Sequence, residues 1–215
     1  MTSNHNRRTF LKVAGGASTL GITGLAGCSG GGGSGDGGDG GDGGDGGDTI
    51  TLGGSMSLTG DNADLGTLYQ DAYRETIDRI NENGGVEAGD GNTYELEMVL
   101  RDDGTDASTS RSIYQELIDR EGIDYLLGPY ASSVTLPASA VAADNEKPMV
   151  EGGGASPEIF NQGNEWIFGL LPTANKYAKS YFDMALEQDS PPESVAILAE
   201  DGTFSQSTAE GARNK

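Results

Sequence analysis

A parallel β-sheet with helices on both faces is the fold class predicted from Thr49 onward, and three observations predict it. Short apolar runs alternate with stretches of helical spacing, the pattern of repeated strand–helix units. One run, Tyr94, Leu96, Met98 and Leu100, keeps the strict period of two that a half-buried strand requires. The runs end in loops rich in Gly, Ser, Thr and Asp, where strands of such a sheet hand over to helix N-termini.

Taken in order, Ile50 and Leu52 begin a strand that closes at Gly53-Gly54-Ser55-Met56-Ser57. Leu65, Tyr69, Ala72, Tyr73, Ile77 and Ile80 recur at helical spacing, and Gly84-Gly85 supplies the stop. After the strand at 94–100, Asp106 or Ser108 is placed to cap a helix carrying Ile113, Leu117 and Ile118. Tyr125 to Leu127 reads as a short buried strand ending at Gly128-Pro129. A helix of small residues follows from about Ser132 to Ala143, then a strand at Met149-Val150. Trp166 to Leu171 reads as a further strand and Ala174 to Gln188 as a helix. Val195 to Ala199 is expected to start one more unit. Ligands of such sheets bind beyond the C-terminal strand ends, here the loops 57–64, 102–106, 128–133 and 151–157. Free N–H groups at the helix starts suit a carboxylate.

Residues 1–27 have the layout of an export signal. Arg7-Arg8 precede an Ala- and Gly-rich apolar run, Val13 to Gly27, that falls short of the roughly 20 apolar residues a span needs. The paired arginine predicts the route for folded cargo. Leu25-Ala26-Gly27-Cys28 resembles a lipobox, which makes Cys28 a lipidated N-terminus, and as the single cysteine it has no partner within the chain. Residues 29–48 contain only Gly, Ser and Asp. They cannot bury a core and read as a spacer with a span of about 25 Å.

Charge and residue usage exclude several functions. The formal net charge is −21. The basic Arg7, Arg8 and Lys12 precede Cys28 and no acid does, so processing there takes the net from −21 to −24. That field disfavours nucleic acid as a partner. An acidic surface with few lysines predicts a halophilic setting, where salt screens the repulsion. The single histidine, His5, lies in the signal. Beyond it there is no imidazole for a nucleophile pair or a metal, so no enzyme, cofactor or metal is expected. Asp102, Asp103 and Asp106 could meet a hard cation, but their spacing misses the calcium loop and fits loop and cap roles better. Trp166 fits core packing better than a ligand platform.

Ser57-Leu58-Thr59-Gly60, Asn83-Gly84-Gly85-Val86, Asp102-Asp103, Leu127-Gly128-Pro129, Gly154-Ala155-Ser156-Pro157 and Asp201-Gly202-Thr203-Phe204 follow one another in order along the chain. Together they resemble the periplasmic leucine/isoleucine/valine-binding family of ABC-transporter receptors, from about Thr49 to Lys215. The resemblance implies two α/β lobes closing on a small solute, a first lobe over 49–171, and only the beginning of a second over 172–215. It also implies a ligand carboxylate at Ser132, with Ser133 beside it, and a ligand amine near Gly153 and Ala155. Ala155 stands where the family has threonine, with Ser156 adjacent. Leu65 stands where an aromatic packs on the ligand, Phe204 where the second lobe has tyrosine, and Ala174 where an acid is common. The function implied is that of an extracytoplasmic solute-binding lipoprotein, anchored by lipid to the outer face of the membrane. It would deliver a branched-chain amino acid or a related small solute to an ABC permease. The alternative is an extracellular ligand-sensing domain of the same fold. A sensor would need a spanning segment and a cytoplasmic output, and the sequence has no such run, which favours transport.

Overall fold

The computed structural model describes residues 49–163 and 165–214. The signal, Arg7, Arg8, Cys28 and the spacer lie outside the described residues.

Six strands form one sheet: β1 Thr49–Met56, β2 Val86–Glu87, β3 Thr93–Asp102, β4 Tyr125–Leu127, β5 Met149–Glu151 and β6 Ile167–Gly169. Their spatial order is β2-β3-β1-β4-β5-β6. All pairings are parallel except β2 with β3. Between them run α1 Ala63–Glu82, α2 Ala107–Asp119, α3 Ser132–Asp144 and the single turn α4 Pro157–Phe160. The chain continues through a 3-10 turn, Ala174–Lys176, into α5 Lys179–Leu186 and α6 Thr203–Arg213.

This order carries the chain from β1 to one side, into β3, and then back across β1 to β4. Right-handed crossovers therefore put α1 on one face and α2 and α3 on the other. The helices following β1 and β4 leave on opposite faces, which opens a crevice above those two strands. α2 and α3 pack on each other. Beneath them Ile113, Tyr114, Leu117, Ile123, Leu126, Ala138, Val141, Ala142 and Met149 form the core. The period of two in β3 is real: Tyr94, Leu96 and Met98 are half-buried while Glu95 and Glu97 face water. Gly84 and Gly85 end α1 as expected, both at positive φ, and the Gly85 N–H returns to the Ile80 carbonyl at 3.0 Å.

Several expectations need correction. Val195 to Ala199 forms no strand, and Leu198 is fully exposed. A strand needs a neighbour for its N–H and C=O groups, and no described residue offers one. The expected helix at 174–188 divides into the 3-10 turn and α5. The last sheet strand is only Ile167–Gly169, so Trp166, Leu170 and Leu171 lie outside it. β2 and α4 were not signalled, being too short to show a period.

Candidate ligand-binding site

The loops after β1, β3, β4 and β5 meet at the C-terminal edge of the sheet, and acidic side chains tie the first two together. Asp102 Oδ1 accepts the N–H groups of Leu58, Thr59 and Gly104 at 3.0, 3.1 and 2.9 Å, and Oδ2 accepts the Thr59 hydroxyl at 2.7 Å. Slight burial pushes this carboxyl up, but the hydrogen bonds from Thr59, Gly104 and Leu58 outweigh it and hold it below its usual range. Asp103 is buried and accepts the hydroxyls of Ser55 and Ser57, each at 2.8 Å. Asp106, not Ser108, caps α2: it accepts the Thr109 N–H at 2.7 Å and the Ser108 hydroxyl at 2.6 Å. These bonds, Ser108 first, lower its carboxyl to about 2. All three acids are committed to loop and cap bonds, and no group of three metal-ligating side chains occurs among the described residues.

The β4 and β5 loops are joined by Ser132. Its hydroxyl oxygen accepts the N–H groups of Ala155 and Ser156, both at 3.1 Å and buried. The residue at the cap of α3 is Ala131, with no side-chain bond, so Ser132 is the first helical residue and holds the neighbouring loop instead. Ala131 sits at φ 77° and ψ 134°, a region L-residues avoid. Its carbonyl accepts from Val134, Thr135 and the Thr135 hydroxyl, which fixes that conformation. No acceptor is recorded among the described residues for the N–H groups of Ser132 and Ser133 at the start of α3. They are the orphan donors every helix start leaves.

Under the same loop lies Glu151, the last residue of β5, fully buried. Its Oε1 accepts the N–H groups of Gly153 and Gly154. Its Oε2 has no hydrogen-bond partner among the described residues. A Cβ at Gly128 would stand 1.8 Å from that oxygen, so the carboxyl occupies the space Gly128 leaves empty. Burial pushes the Glu151 carboxyl up to about 7, against the opposing pull of the Gly154 and Gly153 N–H groups. Three tyrosines face it. Burial raises Tyr114, Tyr73 and Tyr69 above the usual phenol range, and the Glu151 charge adds to each shift. Tyr69 donates to the Gly152 carbonyl at 3.1 Å and packs on Tyr130 at 5.3 Å and edge-on to Tyr73 at 6.2 Å.

The structure thus brings Ser132, Gly153, Ala155 and Ser156 together, with Ser133 exposed beside them. Phe204 stands apart, edge-on to Tyr177 at 5.7 Å, although its helix reaches the group through a Ser207–Ser156 hydroxyl bond of 3.1 Å. Leu65 is exposed at the start of α1. Sequence reasoning missed Glu151 and the tyrosines. Their signals were present: an acid in phase with buried Met149 at a strand end, and Tyr69 and Tyr73 one helical turn apart.

Residues 49–215 match the model of a family described as periplasmic binding protein. The chain belongs to that family. Among curated periplasmic binding proteins it is 26% identical over 165 residues to a Leu/Ile/Val-binding protein homolog of Brucella abortus, covering 74% of this chain and 38% of that one. An ABC transporter substrate-binding protein of Desulfitobacterium hafniense, solved in complex with Leu, superposes with a TM-score of 0.66 at 22% identity, over 78% of this chain and 47% of that one. A solute-binding protein of an ABC transporter from R. palustris, solved with 4-hydroxybenzoate, gives 0.64 at 22%, over 78% and 43%. The chain therefore spans less than half the length of these relatives, and its sheet and helices are those of a type I periplasmic-binding-protein lobe.

Proposed function

We propose that this chain provides the first lobe of an extracytoplasmic solute-binding lipoprotein of an ABC importer, and that its solute carries a carboxylate. The observation that carries the reading is Ser132. Its oxygen is taken up by Ala155 and Ser156, so its O–H hydrogen and the N–H groups of Ser132 and Ser133 are left to donate at one helix start. A carboxylate there meets charge-assisted bonds and the positive end of α3. The tyrosines beside the loop favour an apolar or aromatic body on the solute. A branched-chain amino acid fits that description, as does an aromatic acid, and relatives have been solved with each kind. Lipidation at Cys28, export through Arg7 and Arg8, and a saline habitat complete the reading.

Nitrogen-15 shift titration of the chain with leucine, isoleucine, valine and 4-hydroxybenzoate, carried to millimolar concentration, tests it. The expected result is a response centred on the amides of Ser132, Ser133, Ala155 and Ser156. Ser132→Ala should weaken it about 10- to 150-fold, the worth of one charge-assisted hydrogen bond. A solute that binds with those amides unmoved overturns the site, and silence toward every carboxylate overturns the reading.

A further inference from the structure

We propose that Glu151 is a proton-dependent latch for the cleft loop 152–156, seating it as the neutral acid and releasing it as the carboxylate. The geometry has three parts. One carboxyl oxygen grips the N–H groups of Gly153 and Gly154 and so sets the path of the loop. The other oxygen is buried against Gly128 with no donor. The next two residues of the loop, Ala155 and Ser156, are those that Ser132 holds. Whatever moves Glu151 therefore moves the amides that frame the proposed solute position.

The groups facing Glu151 decide its response. Tyr69 and Tyr73 face it from α1 and Tyr114 from α2, all neutral phenols at ordinary pH. α3 contributes the Thr135 hydroxyl and the turn that follows β4 contributes Gly128. Among the described residues no lysine or arginine acts on the carboxyl. A negative charge formed there meets no counter-ion among the described residues, and one of its oxygens has no donor among them. In the neutral acid the same oxygen carries an O–H with no acceptor among the described residues, a smaller cost than that of a buried charge, which needs water. Water reaches Oε2 only if the loop lifts from Gly128 and α3. Burial places the changeover near pH 7, within the range a cell surface meets.

Hydrogen–deuterium exchange on the whole chain tests this without any solute, so its failure would leave the proposed binding function standing. After correction for the intrinsic rate, protection at the Gly153 and Gly154 amides should fall about tenfold between pH 6 and pH 8, as linkage requires for one proton released at the midpoint. Leu126 and Ala142 in the core should not follow. In Glu151→Gln, which keeps the shape and the acceptor, protection should stay level. Should that variant fail to fold, the wild-type carboxyl carbon resonance serves instead, and it should titrate together with the Gly153 and Gly154 amides. Protection that is constant or rises from pH 6 to pH 8, that falls equally in Glu151→Gln, or that falls in step with Leu126 overturns the latch.

Discussion

At the scale of single residues, Glu151 governs how stability responds to pH. Its carboxyl rises from an ordinary 4.5 to about 7 on folding. The folded state then holds the proton more tightly than the unfolded one. The favourable contribution is complete below pH 4.5, declines between 4.5 and 7, and is gone above 7. The span corresponds to about 3 kcal/mol at 1.36 kcal/mol per pH unit. Urea unfolding across this range should show that decline in the wild type and a flat profile in Glu151→Gln, leaving the variant the more stable protein at pH 8. Asp106 acts in the opposite sense and at lower pH. Its cap is intact above 3.8 and is lost as pH falls through about 2. The Gly-Pro turn and the helix start around Ser132 were legible because they are local features, while the role of Ser132 itself entered through the likeness to the binding-protein family. The burial of Glu151 was not legible, since it depends on a missing side chain 23 positions earlier, in the turn that follows another strand.

At the scale of elements, close approach outranks propensity. Gly66 lies inside α1, where alanine would add up to about 1 kcal/mol of helix propensity. A Cβ there would stand 1.9 Å from the Ser57 carbonyl oxygen. Backbone cannot yield to that contact without shifting the β1 loop, which Asp102 and Asp103 hold in place. Gly66→Ala should therefore lower the melting temperature despite its better propensity. An unchanged or higher value would mean that α1 slides freely over the loop. The same contrast explains which elements could be read in advance. α1, α2 and β3 declare themselves through period, cap or stop signals of their own, and α3 through a run of small residues after a Gly-Pro turn. The segment 195–199 has the apolar content of a strand, but strand formation is a property of pairs, and its partner is not among the described residues.

At the scale of the whole molecule, charge is the dominant condition. A net of −21 over 215 residues sets carboxylates against one another across the surface. Few ion pairs offset this among the described residues, and those recorded lie on partly or fully exposed side chains, where each is worth little. Going from molar to about 0.1 M potassium chloride lengthens the Debye length from about 3 to about 10 Å. The melting temperature should fall with it, and a constant value would remove the ground for a halophilic reading. One contact also bears on how such a sequence can change over generations. Because the Glu151 carboxyl fills the place of a Gly128 side chain, position 128 cannot gain one while residue 151 keeps its length. A lineage that gains a side chain at 128 must already have shortened residue 151, while one that shortens 151 first opens a void that invites a side chain at 128. Substitution at the two sites therefore has a preferred order, and the route between their alternatives passes through the smaller residue.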